Sequence, residues 1–305
     1  MNDHVNIEFH MNQFTIGLVQ MSCSADKAAN MAKAETAIAQ AAKQGAQIVC
    51  LPELFLGPYF CQKEDFNLFD LAESIPGPST ERLAAAAKLN NVVVIGSLFE
   101  KRMPGVYHNT ATVHDANGQF LGIYRKMHIP DDPLYFEKYY FTPGDLGFKV
   151  FDTSRGKVGT LVCWDQWYPE AARLTALQGA EVIFYPTAIG WHPKEKAEYG
   201  EAQHGAWEAS MRGHAIANGT YIAAANRIGH ELPPDGDPHG GLEFWGGSFA
   251  YDPFGRLLHR ASHDKEEVIV VKCDRKLMEE VRRNWPFFRD RRIDAYGGIT
   301  QCFLV

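Results

Sequence analysis

Two segments of this chain repeat one pattern, in which a short apolar strand is followed by a helix and then by another apolar strand. Residues 158–162 are a β-branched run typical of a buried strand, residues 171–178 predict a helix, and residues 182–185 predict the next strand. Gly179 lies where a helix of this kind ends. A strand–helix–strand unit places its two strands parallel in one sheet, so the sequence predicts an α/β protein.

The amino-terminal segment has the same strand–helix–strand pattern, and a residue with a carboxylate side chain follows its second strand. Residues 14–20 and 47–51 predict strands, residues 25–43 predict an Ala-rich helix between them, and Glu53 follows the second strand. Cys163 likewise comes directly after a predicted strand. Open α/β sheets bind ligands at the carboxyl ends of their strands, so we expect Glu53 and Cys163 to share one rim.

Other strands are predicted to pair as hairpins. Residues 107–114 and 119–124 flank an Asp-Ala-Asn-Gly turn, and residues 244–251 and 256–260 flank an Asp-Pro-Phe-Gly turn. Parallel units together with hairpins predict mixed sheets, with helices on one face and a second sheet on the other. The Gly- and Pro-rich residues 228–243 are expected to form a loop long enough to act as a lid.

The chain is interpreted as one domain, because neither a linker nor an internal repeat divides the sequence. Residues 1–10 match no element and are interpreted as an N-terminal extension. Residues 11–305 are predicted to form a single domain with a C-terminal tail.

The composition argues against several classes of partner. A net charge of −7 without a basic stripe argues against nucleic acid, and no apolar run approaches the roughly 18 residues of a membrane-spanning helix. The sequence has no signal-peptide pattern and its six cysteines lack CxxC spacing, which favours a reducing cytoplasm. The twelve histidines lack the spacing of a zinc site, so the sequence predicts no metal.

Three reactive side chains at predicted strand ends have complementary chemical roles. The thiol of Cys163 needs a base to become a nucleophile, because a free thiol has a pKa near ~8.5, and Glu53 can take its proton. Lys126 can stabilise the negative charge of a tetrahedral intermediate together with the backbone N–H of Trp164. Such a site performs acyl transfer with protein groups alone, without a metal or a cofactor. From chemistry alone, Arg125 could replace Lys126 as the cation, and Glu53 could instead pair on a surface loop.

Three motifs carry these residues in order along the chain: Leu51-Pro-Glu-Leu-Phe55, Tyr124-Arg-Lys-Met-His-Ile-Pro130 and Val162-Cys-Trp-Asp-Gln-Trp-Tyr-Pro-Glu170. With them, residues 14–289 resemble the nitrilase superfamily of carbon–nitrogen hydrolases in order and spacing. The resemblance implies a catalytic triad of Glu53, Lys126 and Cys163, with Glu137 as a further glutamate that orients the lysine and the substrate. It also implies a four-layer α-β-β-α sandwich with two mixed sheets, which forms homo-oligomers through its helical layers.

Four further stretches resemble one branch of this superfamily: His128-Ile-Pro-Asp-Asp132, Tyr139-Tyr-Phe-Thr-Pro-Gly-Asp145, Asn226-Arg-Ile-Gly-His-Glu231 and Phe244-Trp-Gly-Gly-Ser-Phe249. This resemblance implies hydrolysis of N-carbamoylputrescine to putrescine, carbon dioxide and ammonia in polyamine biosynthesis. An amidase for N-carbamoyl amino acids or β-ureidopropionate is an alternative within the superfamily. A catalytically silent protein that binds small amides is an alternative of another class.

The implied substrate carries a positive charge at one end, which a carboxylate or an aromatic face can bind. The expected contacts are polar or aromatic side chains close in sequence to the implied catalytic residues: Trp164, Asp131, Asp132, Asp165 and His128. Two other interpretations stay open, since Asp131 and Asp132 could begin a turn before Pro133, and Asp165 could only orient its motif.

Overall fold

Two six-stranded mixed sheets form the centre of the protein, which a computed structural model describes over residues 12–233 and 240–304. The first sheet consists of β1 (Gln13–Gln20), β2 (Ile48–Cys50), β3 (Val93–Met103), β4 (Val106–His114), β5 (Phe120–Arg125) and β15 (Glu267–Asp274). Its order is β15-β1-β2-β3-β4-β5, with β1, β2 and β3 parallel and the other neighbours antiparallel. Residues 1–10 lie outside the described residues, so the division into extension and domain stays a prediction.

The second sheet carries the strands that surround Cys163. It consists of β6 (Val150–Thr153), β7 (Gly156–Thr160), β8 (Val182–Pro186), β10 (Tyr221–Ala225), β13 (Phe249–Tyr251) and β14 (Leu257–Arg260), in the order β14-β13-β10-β8-β7-β6. A small third sheet contains β9 (Gly190–Trp191), β11 (Ile228–Glu231) and β12 (Leu242–Trp245), with β12 in the middle. The strands β7, β8 and β10 are parallel, so their carboxyl ends meet at one edge.

Helices cover the outer faces of both sheets. The α-helices of the described residues are α1 (Lys27–Lys43), α2 (Pro78–Asn90), α3 (Glu137–Tyr140), α4 (Pro169–Leu177), α5 (Lys196–Asn218) and α6 (Arg275–Asn284). Ile38 of α1 belongs to an apolar cluster on the first sheet, and Trp207 of α5 to one on the second. A third cluster, with Ile16 and Phe184, fills the space between the sheets, so the predicted four-layer sandwich is confirmed. Of the helices that the structure describes, none is long and apolar enough to cross a membrane.

Local sequence signals fix where the helices begin and end. Asp26 precedes α1, and its side chain accepts hydrogen bonds from the backbone N–H groups of Ala28 and Ala29. Gly219 ends α5 with a left-handed φ of 51°, which costs glycine little because it lacks a Cβ atom. The chain then enters β10 at Tyr221, so the helix end determines where the next strand begins.

Two predictions for the carboxyl-terminal half are wrong. Residues 228–243 are not a loop throughout, because β11 and β12 pair antiparallel as a hairpin, although residues 234–239 of the expected lid lie outside the described residues. Residues 244–251 are not one strand either. Gly246 and Gly247 adopt φ values of 55° and 58° there, which breaks the strand and sends the chain from the third sheet into the second.

Candidate active site

The ends of three strands bring together the side chains that chemical reasoning selected. Glu53 follows β2 and Lys126 follows β5 in the first sheet, whereas Cys163 begins a short 3-10 helix after β7 in the second sheet. Glu137 comes from α3, in the segment between β5 and β6. All four residues are buried, with exposed fractions between 0% and 3%. The site therefore lies where the two sheets meet at one edge of the sandwich.

The ammonium group of Lys126 joins the two glutamates. Its Nζ atom donates to Glu53 Oε1 at 2.8 Å and to Glu137 Oε1 and Oε2 at 2.9 and 2.7 Å. These contacts use all three of its hydrogens. Burial by itself would lower the pKa of Lys126, but the charges of Glu137 and Glu53 raise that pKa well above its usual range. Lys126 is therefore a fixed positive charge at neutral pH.

Glu137 is held from two sides. Besides the Lys126 ammonium, the hydroxyl of Tyr59 donates to Glu137 Oε1 at 2.7 Å. Burial raises the pKa of Glu137 to about 7; the charge of Lys126 opposes this rise and the charge of Glu53 adds to it. Donors on both oxygens favour the carboxylate form. Glu137 thus orients the lysine through a two-oxygen contact.

The two carboxylate oxygens of Glu53 have different surroundings. Oε1 accepts hydrogen bonds from Lys126 Nζ and, at 2.7 Å, from Asn109 Nδ2. Oε2 is buried and has no hydrogen-bond partner among the residues that the structure describes. A buried oxygen without a donor is costly, so this atom is the one available to accept a proton.

Cys163 occupies a strained turn. Its backbone φ is 41°, in the left-handed region that residues other than glycine rarely adopt. The thiol Sγ lies 3.9 Å from the carbonyl oxygen of Ala188. Burial raises the pKa of the thiol well above its usual value; the charges of Glu53 and Glu137 add to this, and Lys126 opposes it. The thiol is therefore neutral in the free protein and must lose its proton as it reacts.

A cleft of about 400 Å³ has Cys163 in its wall. Aromatic side chains form much of its lining: Tyr135, Trp164, Trp167 and Trp245. Two exposed carboxylates, Asp132 and Glu195, also line it. Within the described part of the chain, its lining contains no Lys or Arg. Aromatic faces and carboxylates suit a cation and do not suit an anion.

Two of the five predicted substrate contacts line this cleft, namely Trp164 and Asp132. Glu195, at the start of α5, was missed, because the sequence gives no sign that this exposed segment folds back over Cys163. The structure does not bring the other three predicted contacts into the lining: Asp131, Asp165 and His128.

Asp165 is fully buried and orients the motif around the nucleophile. Its Oδ2 accepts hydrogen bonds from the hydroxyl of Tyr124 at 2.7 Å and from the N–H of Val162 at 2.9 Å. Its Oδ1 accepts from the backbone N–H of His128 and lies 2.7 Å from that residue's Nδ1. The His128 ring stacks on Tyr168 with 3.7 Å between centroids. These contacts occupy both residues outside the lining of the cleft, and their role in substrate binding stays a prediction.

Arg125, the alternative cation, is engaged outside the site. Its guanidinium donates to Glu100 Oε2 at 2.8 Å, to Glu100 Oε1 at 2.5 Å and to Asp145 Oδ1 at 2.8 Å. Successive side chains of a strand point to opposite faces, so the neighbours Arg125 and Lys126 are separated. The structure thus places Lys126 in the site.

Arg227 was not among the predicted site residues; it lies two residues after the end of β10 and is fully buried. Its Nη2 donates to the backbone oxygens of Glu53 and Leu54 at 2.8 and 2.9 Å, and its Nη1 donates to Glu231 Oε1 at 2.8 Å. Glu231 Oε2 also accepts the N–H of Tyr59 at 2.5 Å. The sequence signal for this role was an arginine just after an all-apolar strand, because a charged side chain in a buried position needs hydrogen-bond or ion-pair partners.

Comparison with known proteins points to one family. The profile described as carbon-nitrogen hydrolase matches residues 15–283. The chain is 44% identical over 283 residues to N-carbamoylputrescine amidase of Solanum lycopersicum, covering 92% of this chain and 93% of that protein. It is 40% identical over 294 residues to citrullinase of Francisella tularensis subsp. tularensis, covering 96% and 100%. A crystal structure of a carbon-nitrogen hydrolase from Helicobacter pylori G27 matches with a TM-score of 0.92 and 46% identity, covering 96% and 100%.

Proposed function

We propose, since this chain belongs to the carbon–nitrogen hydrolase family, that it hydrolyses N-carbamoylputrescine to putrescine, carbon dioxide and ammonia. One observation carries the proposal: Cys163, with Lys126 and two glutamates beside it, opens into a cleft whose lining suits a cation. Relatives that carry this activity by name are 41% to 44% identical to the chain over most of its length.

In the proposed reaction, Cys163 Sγ attacks the ureido carbon while Glu53 Oε2 takes the thiol proton. The carbonyl oxygen becomes an oxyanion, which the Lys126 ammonium and the Trp164 backbone N–H stabilise. As the carbon–nitrogen bond breaks, Glu53 returns the proton to the leaving amine, and an acyl group remains on Cys163. Water, deprotonated by Glu53, then attacks the acyl carbon, the carbon–sulfur bond breaks and Glu53 returns the proton to the Cys163 sulfur. The carbamic acid that is released breaks down to carbon dioxide and the second amine.

The contacts of Lys126 restrict how it can serve the oxyanion. All three of its hydrogens already point at carboxylates, two of them at Glu137. If one of the two hydrogen bonds from Lys126 to Glu137 is replaced by a hydrogen bond to the oxyanion, the other remains. Lys126 then stays oriented while its charge acts on the intermediate.

The cleft also favours putrescine's cationic tail over a carboxylate tail. Citrulline and N-carbamoyl amino acids carry a carboxylate, which a guanidinium fork binds best. The described lining offers Asp132 and Glu195 and no such cation. A distal ammonium resembles a lysine side chain, with a pKa near ~10.4, and is charged at neutral pH.

A steady-state comparison of three substrates tests this proposal. We expect N-carbamoylputrescine to have the highest kcat/KM, with citrulline and N-carbamoyl-β-alanine lower by about tenfold or more, as one lost charge-assisted contact implies. A preference for either carboxylate substrate would contradict the assignment. Cys163→Ala, checked for an unchanged circular dichroism spectrum, should abolish ammonia release. Activity above a few per cent in that variant would remove Cys163 from the mechanism.

Variants of the cleft carboxylates test which group binds the tail. Asp132→Asn and Glu195→Gln should each lower kcat/KM for N-carbamoylputrescine about tenfold, since a charge-assisted contact contributes roughly 1.5–3 kcal/mol. Neither should affect uncharged N-butylurea as strongly. Asp131→Asn is the matched control, because this neighbour is exposed outside the lining. Equal losses on both substrates would mean that the carboxylates shape the cleft.

We also propose that the enzyme is a homo-oligomer of the cytoplasm. The support for assembly is a set of exposed apolar side chains on α4 and near the carboxyl end: Leu174, Leu177, Ile299, Phe303 and Leu304. A reducing cytoplasm keeps the Cys163 thiol unoxidised. Light scattering on wild type and Leu177→Glu tests assembly: the wild type should exceed the 34.2 kDa of one chain and the variant should approach it. A monomeric wild type would refute the assembly.

A further inference from the structure

We infer that Asn109 and Ser97 are positioning residues for the base: they fix Glu53 so that one oxygen is anchored and the other is left to move protons. This inference rests on the proposed role of Glu53. Asn109 lies on β4 and Ser97 on the neighbouring β3, and both are fully buried. Neither lines the cleft, so their side chains act on the reaction through Glu53 and not by touching the substrate.

The contacts form one connected chain. Asn109 Nδ2 donates to Glu53 Oε1 at 2.7 Å, and Ser97 Oγ donates to Asn109 Oδ1 at 3.1 Å. Ser97 Oγ in turn accepts the backbone N–H of Leu54 at 3.2 Å. The backbone oxygen of Asn109 accepts the N–H of Lys126 at 2.9 Å. One asparagine therefore holds the side chain of the base and the backbone of the cation.

Without Asn109, the carboxylate of Glu53 would lose the contact that distinguishes its two oxygens. The last torsion of a glutamate is broad and nearly two-fold, so Lys126 alone could hold either oxygen. Lys126 and Asn109 together give Oε1 two donors, which matches its two lone pairs. Oε2 stays buried without a donor in the described structure. Anchoring and proton transfer are thus assigned to different atoms of one side chain.

The decisive experiment compares the kcat and KM of Asn109→Leu with those of Thr112→Val. Thr112 lies on the same strand, is fully buried and donates one hydrogen bond to the Gly96 carbonyl, so it controls for lost stability. For Asn109→Leu we expect kcat to fall about tenfold to a hundredfold with KM nearly unchanged, as for a misplaced catalytic group. Thr112→Val should change neither.

A second readout needs no substrate, namely the rate at which iodoacetamide inactivates the enzyme. Iodoacetamide reacts with the thiolate, so a misplaced base should slow the inactivation of Asn109→Leu relative to Thr112→Val. If Asn109→Leu does not fold, Ser97→Ala decides alone: a smaller loss of kcat at unchanged KM supports the inference, and an unchanged kcat overturns it. An Asn109→Leu variant whose kcat and inactivation rate match those of the control also overturns it. Glu53→Gln separates the two proposals, because activity in that variant would refute the base itself, whereas an inactive Glu53→Gln beside a fully active Asn109→Leu refutes only the positioning.

Discussion

At the scale of single residues, chemistry could select the kinds of group but not every position. Glu53 and Cys163 follow predicted strands, and their roles can be derived from the needs of a buried thiol. Reasoning from residue types alone could not choose between Arg125 and Lys126, because both end the same strand. The family resemblance selects Lys126. The structure separates the two cations, since Lys126 pairs with Glu53 and Glu137 whereas Arg125 pairs with Glu100 and Asp145.

Exchanging the two cations in separate variants tests this difference. Lys126→Arg should lower kcat by about 10² or more, because a planar guanidinium cannot reproduce three ammonium contacts to two carboxylates. Arg125→Lys should keep kcat within a few-fold but lower the melting temperature, since it loses the two-pronged contact with Glu100. Steady-state kinetics measure kcat, and calorimetry measures the melting temperature, for both variants. Comparable losses of kcat would mean that Arg125 also serves the reaction.

At the scale of elements, the strands that precede catalytic residues were predictable and the hairpin of β11 and β12 was not. Buried strands are marked by continuous apolar runs. The hairpin lies in a segment rich in glycine and proline, whose composition is typical of a loop. Its Glu231 accepts a hydrogen bond from the N–H of Tyr59, 172 residues earlier in the chain. Such contacts leave no local pattern.

Replacing Glu231 should therefore lower the stability of the whole protein and its activity, as well as the stability of the hairpin. Glu231→Ala leaves the buried Arg227 without its carboxylate, which should cost about 3 kcal/mol of unfolding free energy. It should also lower kcat, because Arg227 holds the backbone of Glu53. Glu243→Ala is the control on the same hairpin, where the exposed pair with Lys196 should contribute less than about 1 kcal/mol. Equal losses of unfolding free energy in the two variants, measured by urea unfolding, would show that the Glu231 contact contributes no more than the exposed pair.

At the scale of the whole molecule, the mixed sheets could be predicted, but the burial of polar groups could not. Of the histidines that the structure describes, four have a pKa lowered mainly by burial: His108, His114, His204 and His214. The pKa is lowered to about 4 for both His114 and His204, and of these two His114 is fully buried, on β4. From the sequence it is only one more polar residue in a strand. Its neutral state depends on packing from both sides of the sheet.

These histidines should make the protein sensitive to mild acid. An unfolded histidine takes up a proton below a pH of about 6.5, whereas buried His114 does so only near pH 4, so stability is lost as the pH falls between these values. The contribution of His114 is at most about 3 kcal/mol. His114→Phe should flatten the melting temperature between pH 6.5 and 4 relative to wild type, with exposed His259→Gln as the control. An unchanged slope in His114→Phe would refute this origin.

The proposed base and the nucleophile follow strands of different sheets, so catalytic activity should return late in refolding. Glu53 and Lys126 follow strands of the first sheet, and Cys163 follows a strand of the second. Contacts across this boundary, such as Glu53 N–H to the Thr187 oxygen at 3.3 Å, form only after the sheets have docked. Each sheet can acquire its strands earlier, without any catalytic activity. Recovery of ammonia release should therefore lag behind the return of the circular dichroism signal, and the lag measures how long the two sheets take to dock.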